Sequence, residues 1–226
     1  MSIPPVRVLG AALRSLSVAV AALALSGCIS LFPKADPSGL YRFGHAAPPA
    51  VASTSGSATG GAATEKTFGV FKTPTVFTRA AMGDRILTVT NGEAAYIAGA
   101  RWVSPAVVLF DESVARAFEA ESNPARLVTR GETAKAAMAL RLEVRSFETD
   151  YVDGPKAAPE VLVEIRAVMT RSGDRALLGD KVFQTRVKAS DNRVGAIVQA
   201  YDQANSQVLT EVIAWVGEAG GKLPAE

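Results

Sequence analysis

The sequence predicts an α+β fold with a mostly antiparallel mixed sheet and two helices packed on one face. Three observations predict it. An Asn-Gly pair lies between two strand-like runs, three later segments alternate apolar and polar residues, and the C-terminal segment repeats apolar residues at steps of three and four. A separate N-terminal region, different in composition, precedes this domain.

The composition excludes several classes of protein. The chain has 226 residues, with 48% apolar residues, a net charge of +2, one cysteine and one histidine, His45. A single cysteine excludes an internal disulfide or a Cys-rich zinc site, and a single histidine leaves no basis for a His metal cluster or a Ser-His-Asp triad. The charge gives no reason to expect nucleic acid. The sequence has no phosphate-binding motif and no nucleophile motif, so we expect that the protein is not an enzyme and binds no cofactor or metal ion.

Residues 1–27 are typical of a secretory signal peptide. Arg7 and Arg14 are the only charged residues before position 34, and an apolar run of about 11 residues follows Arg14. That run is too short for a membrane-spanning helix, which needs about 20 residues. The whole chain has 24 basic and 22 acidic residues, so loss of both arginines on cleavage leaves equal numbers of the two.

The apolar run closes on Leu25, Ser26, Gly27 and Cys28, which resembles the lipobox of bacterial lipoproteins. In a lipobox the Cys thiol becomes a thioether to diacylglycerol, and cleavage frees an amine that is then acylated. We therefore expect Cys28 to be the lipidation site and the first residue of the mature chain. More than one acyl chain makes such an anchor stable. The alternative is a cysteine that follows a signal peptide by chance.

A tether and a loop follow the expected anchor. Residues 29–39 contain two prolines and a glycine and extend to about 40 Å at most. A short strand is expected at 40–43, and residues 46–63, which are Ala, Pro, Ser, Thr and Gly apart from Val51, predict a flexible loop. The predicted organisation is a signal peptide at 1–27, a lipid-anchored tether with one strand and a loop at 28–66, an α+β domain at 67–219 and a tail at 220–226.

The first half of the domain contains a hairpin and a helix. Strand-like runs begin after Thr67, and Asn91-Gly92 predicts a type I′ turn between strands at about 85–90 and 93–98. Ser104 and Pro105 predict the start of a helix. Its apolar residues recur at helical spacing: Val107, Phe110, Val114 and Phe118.

The second half predicts a three-stranded antiparallel meander and a long helix. The alternation from Met138 slips after Val144, which indicates a bulge near Ser146. Further strands follow at about 161–169 and 177–187. The last helix, of about 25 residues, has one apolar stripe that would lie on the sheet. Ser190 or Asp191 is expected to cap it.

The order of these features resembles the ABC-type transport auxiliary lipoprotein component family, over about residues 28–217. The sharpest motif is Arg101-Trp102 followed by Pro105 at the helix entry. The resemblance implies a lipoprotein partner of MCE-type lipid transporters in Gram-negative bacteria. The motif also has a structural explanation, because Trp102 would pack at the seam between hairpin and helix and Pro105 would fix the helix start.

The expected function is that of a non-enzymatic, lipid-anchored periplasmic subunit of an ABC/MCE-type phospholipid transport system. It would link the MCE assembly to the outer membrane. An Asp directly after the lipidated cysteine resembles an inner-membrane retention signal, and this chain has Ile29 at that position, which favours sorting to the outer membrane. Expected partners are an MCE-domain protein, the ABC permease and ATPase, the outer membrane and phospholipid, and not nucleic acid. Two alternatives remain: a periplasmic lipid-binding carrier lipoprotein with an acyl chain between sheet and helices, and an envelope scaffold or regulatory lipoprotein.

Overall fold

The computed structural model describes residues 37–44, 68–119, 124–129 and 131–221. The chain divides into two units, Met1–Pro37 and Ser38–Glu226, and every strand and helix given below belongs to the second. The predicted signal peptide, the lipobox with Cys28 and the predicted loop at 46–63 lie outside the described residues.

Nine strands and two helices make up the described part of the chain. The strands are β1 Gly39–Tyr41, β2 Phe68–Lys72, β3 Val76–Phe77, β4 Arg85–Thr90, β5 Glu93–Trp102, β6 Ala125–Val128, β7 Met138–Asp150, β8 Glu160–Arg171 and β9 Leu177–Lys188. Helix α1, Ala106–Glu119, follows β5, and helix α2, Val194–Gly220, follows β9.

Strand β7 is the centre of the sheet. On one side it pairs antiparallel with β8 along its whole length, and β8 pairs with β9, which confirms the predicted meander. On its other side it takes three short parallel partners in succession, β2, β3 and β4. Strand β4 continues to β5 and then to β1, whereas β6 lies beside β2. The sheet is open and mixed, and both helices pack on one face of it, so the predicted fold class is confirmed.

The predicted hairpin and bulge are both present. Asn91 and Gly92 have φ of 50° and 83°, as a type I′ turn requires, and β5 extends beyond the predicted end to Trp102. The pairing of β7 with β8 shifts between Val144 and Ser146. Because side chains alternate along a strand, this extra residue returns the buried side chains to the helix-covered face beyond the bulge.

Two predicted details differ from the structure. Helix α2 begins at Val194, and its N-cap is Arg193, which makes no side-chain cap hydrogen bond. The expectation that Ser190 or Asp191 caps the helix is therefore wrong. The Asp191 carboxylate instead accepts a hydrogen bond from the backbone N–H of Asn192 at 2.6 Å, so a local contact takes up the capping group. The first strand ends at Tyr41, and Phe43 beyond it is fully buried.

Tyr201 of α2 carries a hydroxyl group into the buried layer between sheet and helices. The Thr149 hydroxyl donates to it at 3.2 Å, and the Tyr201 hydroxyl donates to the carbonyl of Leu87 at 3.4 Å. Burial raises the pKa of Tyr201 above its ordinary value, against the smaller opposing effect of the Thr149 hydrogen bond. The phenol is therefore neutral in the fold at a pH where the unfolded chain has begun to ionise.

The free energy of unfolding should fall as the pH rises past about 10, because the unfolded chain releases the Tyr201 proton while the folded chain keeps it. Tyr201→Phe removes this proton, so the free energy of unfolding of the variant should fall less steeply with pH. The two slopes should differ by up to about 1.4 kcal/mol per pH unit. Urea unfolding of both proteins between about pH 9 and about pH 11 measures the two slopes. Equal slopes would contradict the expectation.

Candidate functional site

The helix-entry motif lies where β5 passes into α1. The N–H of Trp102 donates to the carbonyl of Asp84 at 2.7 Å, and the N–H of Ala106 donates to the carbonyl of Gly83 at 2.8 Å. Pro105 stands directly before the first helical residue, where its fixed φ suits the chain and no N–H is needed. These contacts tie the start of the helix to the turn before β4.

The Trp102 ring is part of a buried aromatic cluster. It stands edge-on to Phe43 and Tyr201, with centroid distances of 4.9 Å and 5.2 Å. Phe147 completes the cluster at 5.1 Å from Phe43 and 4.8 Å from Tyr201. Such pairs contribute about 0.5–1.5 kcal/mol each beyond the burial of their area. The indole thus joins β5 to α2 and to the residues that follow β1.

Arg101, the other member of the motif, stays on the surface. Its Nη1 lies 2.8 Å from Oδ2 of Asp84, and both side chains are about half exposed. Water and salt screen such a pair, so its contribution to stability is small. Asp84 therefore binds both neighbours, Trp102 through its carbonyl and Arg101 through its carboxylate.

A second site fixes the segment after β1 between the two helices. The N–H of Gly44 donates to Oδ1 of Asp202 on α2 at 2.5 Å, and its carbonyl accepts from Nε of Arg116 on α1 at 3.0 Å. Gly44 has φ of +84°, and a Cβ there would overlap Oγ of Ser113. We call this arrangement the Gly44 contact. No sequence pattern predicted this contact, and the one local signal is a glycine directly after the apolar Phe43.

The two adjacent acids in the middle of α1 form ion pairs. Oδ1 of Asp111 accepts from Nζ of Lys72 at 2.8 Å and from the hydroxyl of Thr75 at 2.6 Å. Oε2 of Glu112 lies 3.1 Å from Nη2 of Arg42. These contacts attach the helix to the segment after β1, to the end of β2 and to the loop before β3, and they give both carboxylates a structural role.

The acids near the end of β7 are also paired with basic residues. Asp150 lies 3.3 Å from Arg186, and Asp153 lies 2.9 Å from Lys188. Burial, with the charge of Asp150, raises the pKa of Glu148, whereas Arg186 opposes that shift.

Within the described residues, no group of three or more His, Cys, Asp or Glu side chains could hold a metal ion. Neither of the described helices is long and apolar enough to cross a membrane.

The residues of the predicted lipidation site lie outside the described part of the chain. Leu25, Ser26, Gly27 and Cys28 therefore keep their assignment as a prediction. The structure brings Arg101, Trp102 and Pro105 together at the helix entry, where Arg101 and Trp102 end β5 beside β1 and Pro105 precedes α1. Residues 45–67, which include His45, are outside the described ranges as well.

The fold and the site together define a two-layer α+β protein whose helix-entry motif contributes Trp102 to its core. Residues 56–213 match the family model of the ABC-type transport auxiliary lipoprotein component, and the chain belongs to that family. The suspected resemblance is thus confirmed, although the match begins later than the expected residue 28. Membership makes the protein an auxiliary lipoprotein component of ABC-type transport. Lipoproteins of this kind are lipid-anchored in the cell envelope, and the family is not a class of enzymes.

Solved structures share the fold. The chain is similar to the crystal structure of protein XCC0632 from Xanthomonas campestris, with 24% identity, a TM-score of 0.65, and coverage of 82% of this chain and 98% of that one. It is also similar to the crystal structure of an uncharacterized protein, with 11% identity, a TM-score of 0.59, and coverage of 80% and 99%. At these identities the likeness concerns the fold alone. No curated protein sequence matches the chain.

Replacement of Trp102 tests the structural role of the motif. Trp102→Ala should lower the free energy of unfolding by about 3–5 kcal/mol, because it removes a ring from a packed cluster. Arg101→Ala should cost less than about 1 kcal/mol, because its ion pair is exposed. Chemical denaturation measures both. Similar small losses in the two variants would contradict a core role for the indole.

Gly44→Ala tests the Gly44 contact against a matched glycine. Gly154 also has positive φ, at +93°, but a Cβ there would meet nothing within 4 Å. Gly154→Ala should therefore cost only the backbone strain, about 1 kcal/mol, whereas Gly44→Ala adds the overlap with Ser113. Ser113→Ala should recover that added loss in a double-mutant cycle. Equal effects of the two glycine replacements would count against the contact.

Proposed function

We propose that the protein is a lipid-anchored periplasmic auxiliary subunit of an ABC/MCE-type phospholipid transport system. In this role it links the MCE assembly to the outer membrane. The observation that carries the proposal is the match of residues 56–213 to the ABC-type transport auxiliary lipoprotein component. The lipobox-like sequence that ends in Cys28 supplies the anchor, and Ile29 after it favours the outer membrane.

The packing of the described residues favours a linking subunit over a lipid carrier. A carrier of the predicted type needs space for an acyl chain between sheet and helices. Phe77 stands 5.4 Å from Phe147, and Phe147 stands 4.8 Å from Tyr201, so aromatic rings occupy the middle of that layer. A bound acyl chain would have to displace them. We therefore assign partner binding to the outer surface of the domain.

Co-purification tests the partner assignment. The acylated protein, isolated from envelope extracts, should bring with it an MCE-domain protein and the permease and ATPase of an ABC transporter. Cys28→Ala removes the lipidated thiol and should reduce this recovery, since the protein is no longer held at the membrane. Mass spectrometry identifies both the acyl groups on Cys28 and the recovered subunits. Absence of every MCE and ABC subunit above the Cys28→Ala background would contradict the proposal.

Two controls separate the parts of this proposal. Ile29→Asp keeps the lipidated cysteine and should shift the protein from the outer-membrane to the inner-membrane fraction on a density gradient. An unchanged distribution would contradict the sorting argument and leave the transporter assignment intact. Native mass spectrometry with added phospholipid tests the carrier alternative. Stoichiometric lipid retained by the protein without transporter subunits would favour a carrier instead.

A further inference from the structure

Exposed apolar side chains gather where the chain enters the sheet. Leu40 in β1 is 65% exposed, Val103 after β5 is 50% exposed, and Met82 in the turn before β4 is 43% exposed. Exposed apolar side chains on neighbouring segments of a soluble domain mark a candidate interaction site. We call these three residues the entry patch.

Backbone contacts hold the three segments of the entry patch together. The N–H of Val103 donates to the carbonyl of Tyr41 at 2.8 Å, next to Leu40. The N–H of Val107 donates to the carbonyl of Met82 at 3.3 Å. Strand β1, the end of β5 and the turn before β4 therefore meet at one edge of the sheet.

These three segments and the residues next to them carry an excess of positive charge. Arg42 and Arg101 have acidic partners, Glu112 and Asp84. Arg79 and Arg85 are exposed, and neither forms an ion pair with an acid in the described part of the chain. The guanidinium of Arg85 lies over the ring of Tyr96, 4.5 Å from the ring centroid. These four arginines outnumber the two acids around the entry patch, and the resulting positive charge favours an anionic partner.

We propose that the entry patch docks on the anionic phospholipid surface to which the protein is anchored. The apolar side chains enter the interface and the arginines contact headgroup phosphates. This proposal rests on the lipid anchor proposed at Cys28. The chain reaches β1 at Gly39, eleven residues after Cys28, and those residues extend to about 40 Å at most. The tether therefore leads directly to the entry patch.

The opposite edge of the sheet supplies matched control positions. Strand β9 lies at the other end of the strand order from β1. Leu177 and Val182 of β9 are 65% and 46% exposed, close to the values for Leu40 and Val103. The docking proposal predicts that they stay accessible to water when the entry patch is covered.

Thiol labelling tests the proposal on the full acylated chain. Cys28 is the one cysteine of the sequence and acylation consumes its thiol, so Val103→Cys or Val182→Cys adds a single reactive group. Each protein is placed in vesicles of phosphatidylethanolamine with phosphatidylglycerol and treated with a membrane-impermeant maleimide. We expect labelling at position 103 to be about tenfold slower than at 182, a factor that corresponds to about 1.4 kcal/mol of docking. Circular dichroism checks that both variants fold.

Further variants identify what covers the patch. Leu40→Asp with Arg79→Glu in the Val103→Cys protein should restore the labelling rate to that of Val182→Cys, whereas Leu177→Asp should not. Vesicles without phosphatidylglycerol should give faster labelling at 103. Equal rates at 103 and 182 in anionic vesicles would overturn the proposal. So would slow labelling at 103 that disappears when the protein is diluted at constant lipid, because a second copy would then be the cover.

The acylation state distinguishes this result from a failure of the anchor. Mass spectrometry of the same samples shows whether Cys28 carries acyl chains. Absence of acylation would overturn the anchor, and the docking proposal would fall with it. Acylated protein with an accessible thiol at position 103 would overturn the docking alone.

Discussion

The buried contact between Trp102 and Tyr201 is the interaction on which the other parts of the domain depend. Trp102 and Tyr201 come from the end of β5 and from α2. Phe43 follows β1, and Phe147 lies in the second half of β7. The four positions are far apart in the chain, so the cluster closes only when sheet and helices are both in place. The segment around Phe43, which directly follows β1, is therefore part of the core.

The bulge in β7 reconciles two requirements on one long strand. Before it, Leu142 and Val144 face the helices, and after it Phe147 and Thr149 face them. Without the extra residue, Phe147 would point away from the aromatic cluster. The strand can thus pair with β8 along its whole length and still place the Phe147 ring beside Tyr201. The sequence signalled this bulge because the apolar alternation slips at the same place.

Local patterns predicted the hairpin, the bulge, the meander and both helices, since turn residues and periodicity determine these features within a few residues. The three short parallel partners of β7 could not be predicted in this way, because their pairing joins segments that are distant in the chain. The cap of α2 was assigned wrongly because Asp191 bonds to its neighbour. For the site, the motif at Trp102 was found from sequence, but the Gly44 contact depends on Ser113, Arg116 and Asp202, which no local pattern connects.

The Gly44 contact strengthens the connection between the short edge strand β1 and the core, which the proposed tether would pull on. Strand β1 pairs with β5 at only three positions, Gly39 to Tyr41, and an edge strand of that length would separate easily under load. Beyond it, Phe43 is buried, and the backbone of Gly44 is bonded to both helices through Arg116 and Asp202. A pull from the proposed anchor would therefore reach the core through Phe43 and Gly44. The proposed link between a membrane and a transport assembly would need such a connection, because the tether would have to transmit force without opening the sheet.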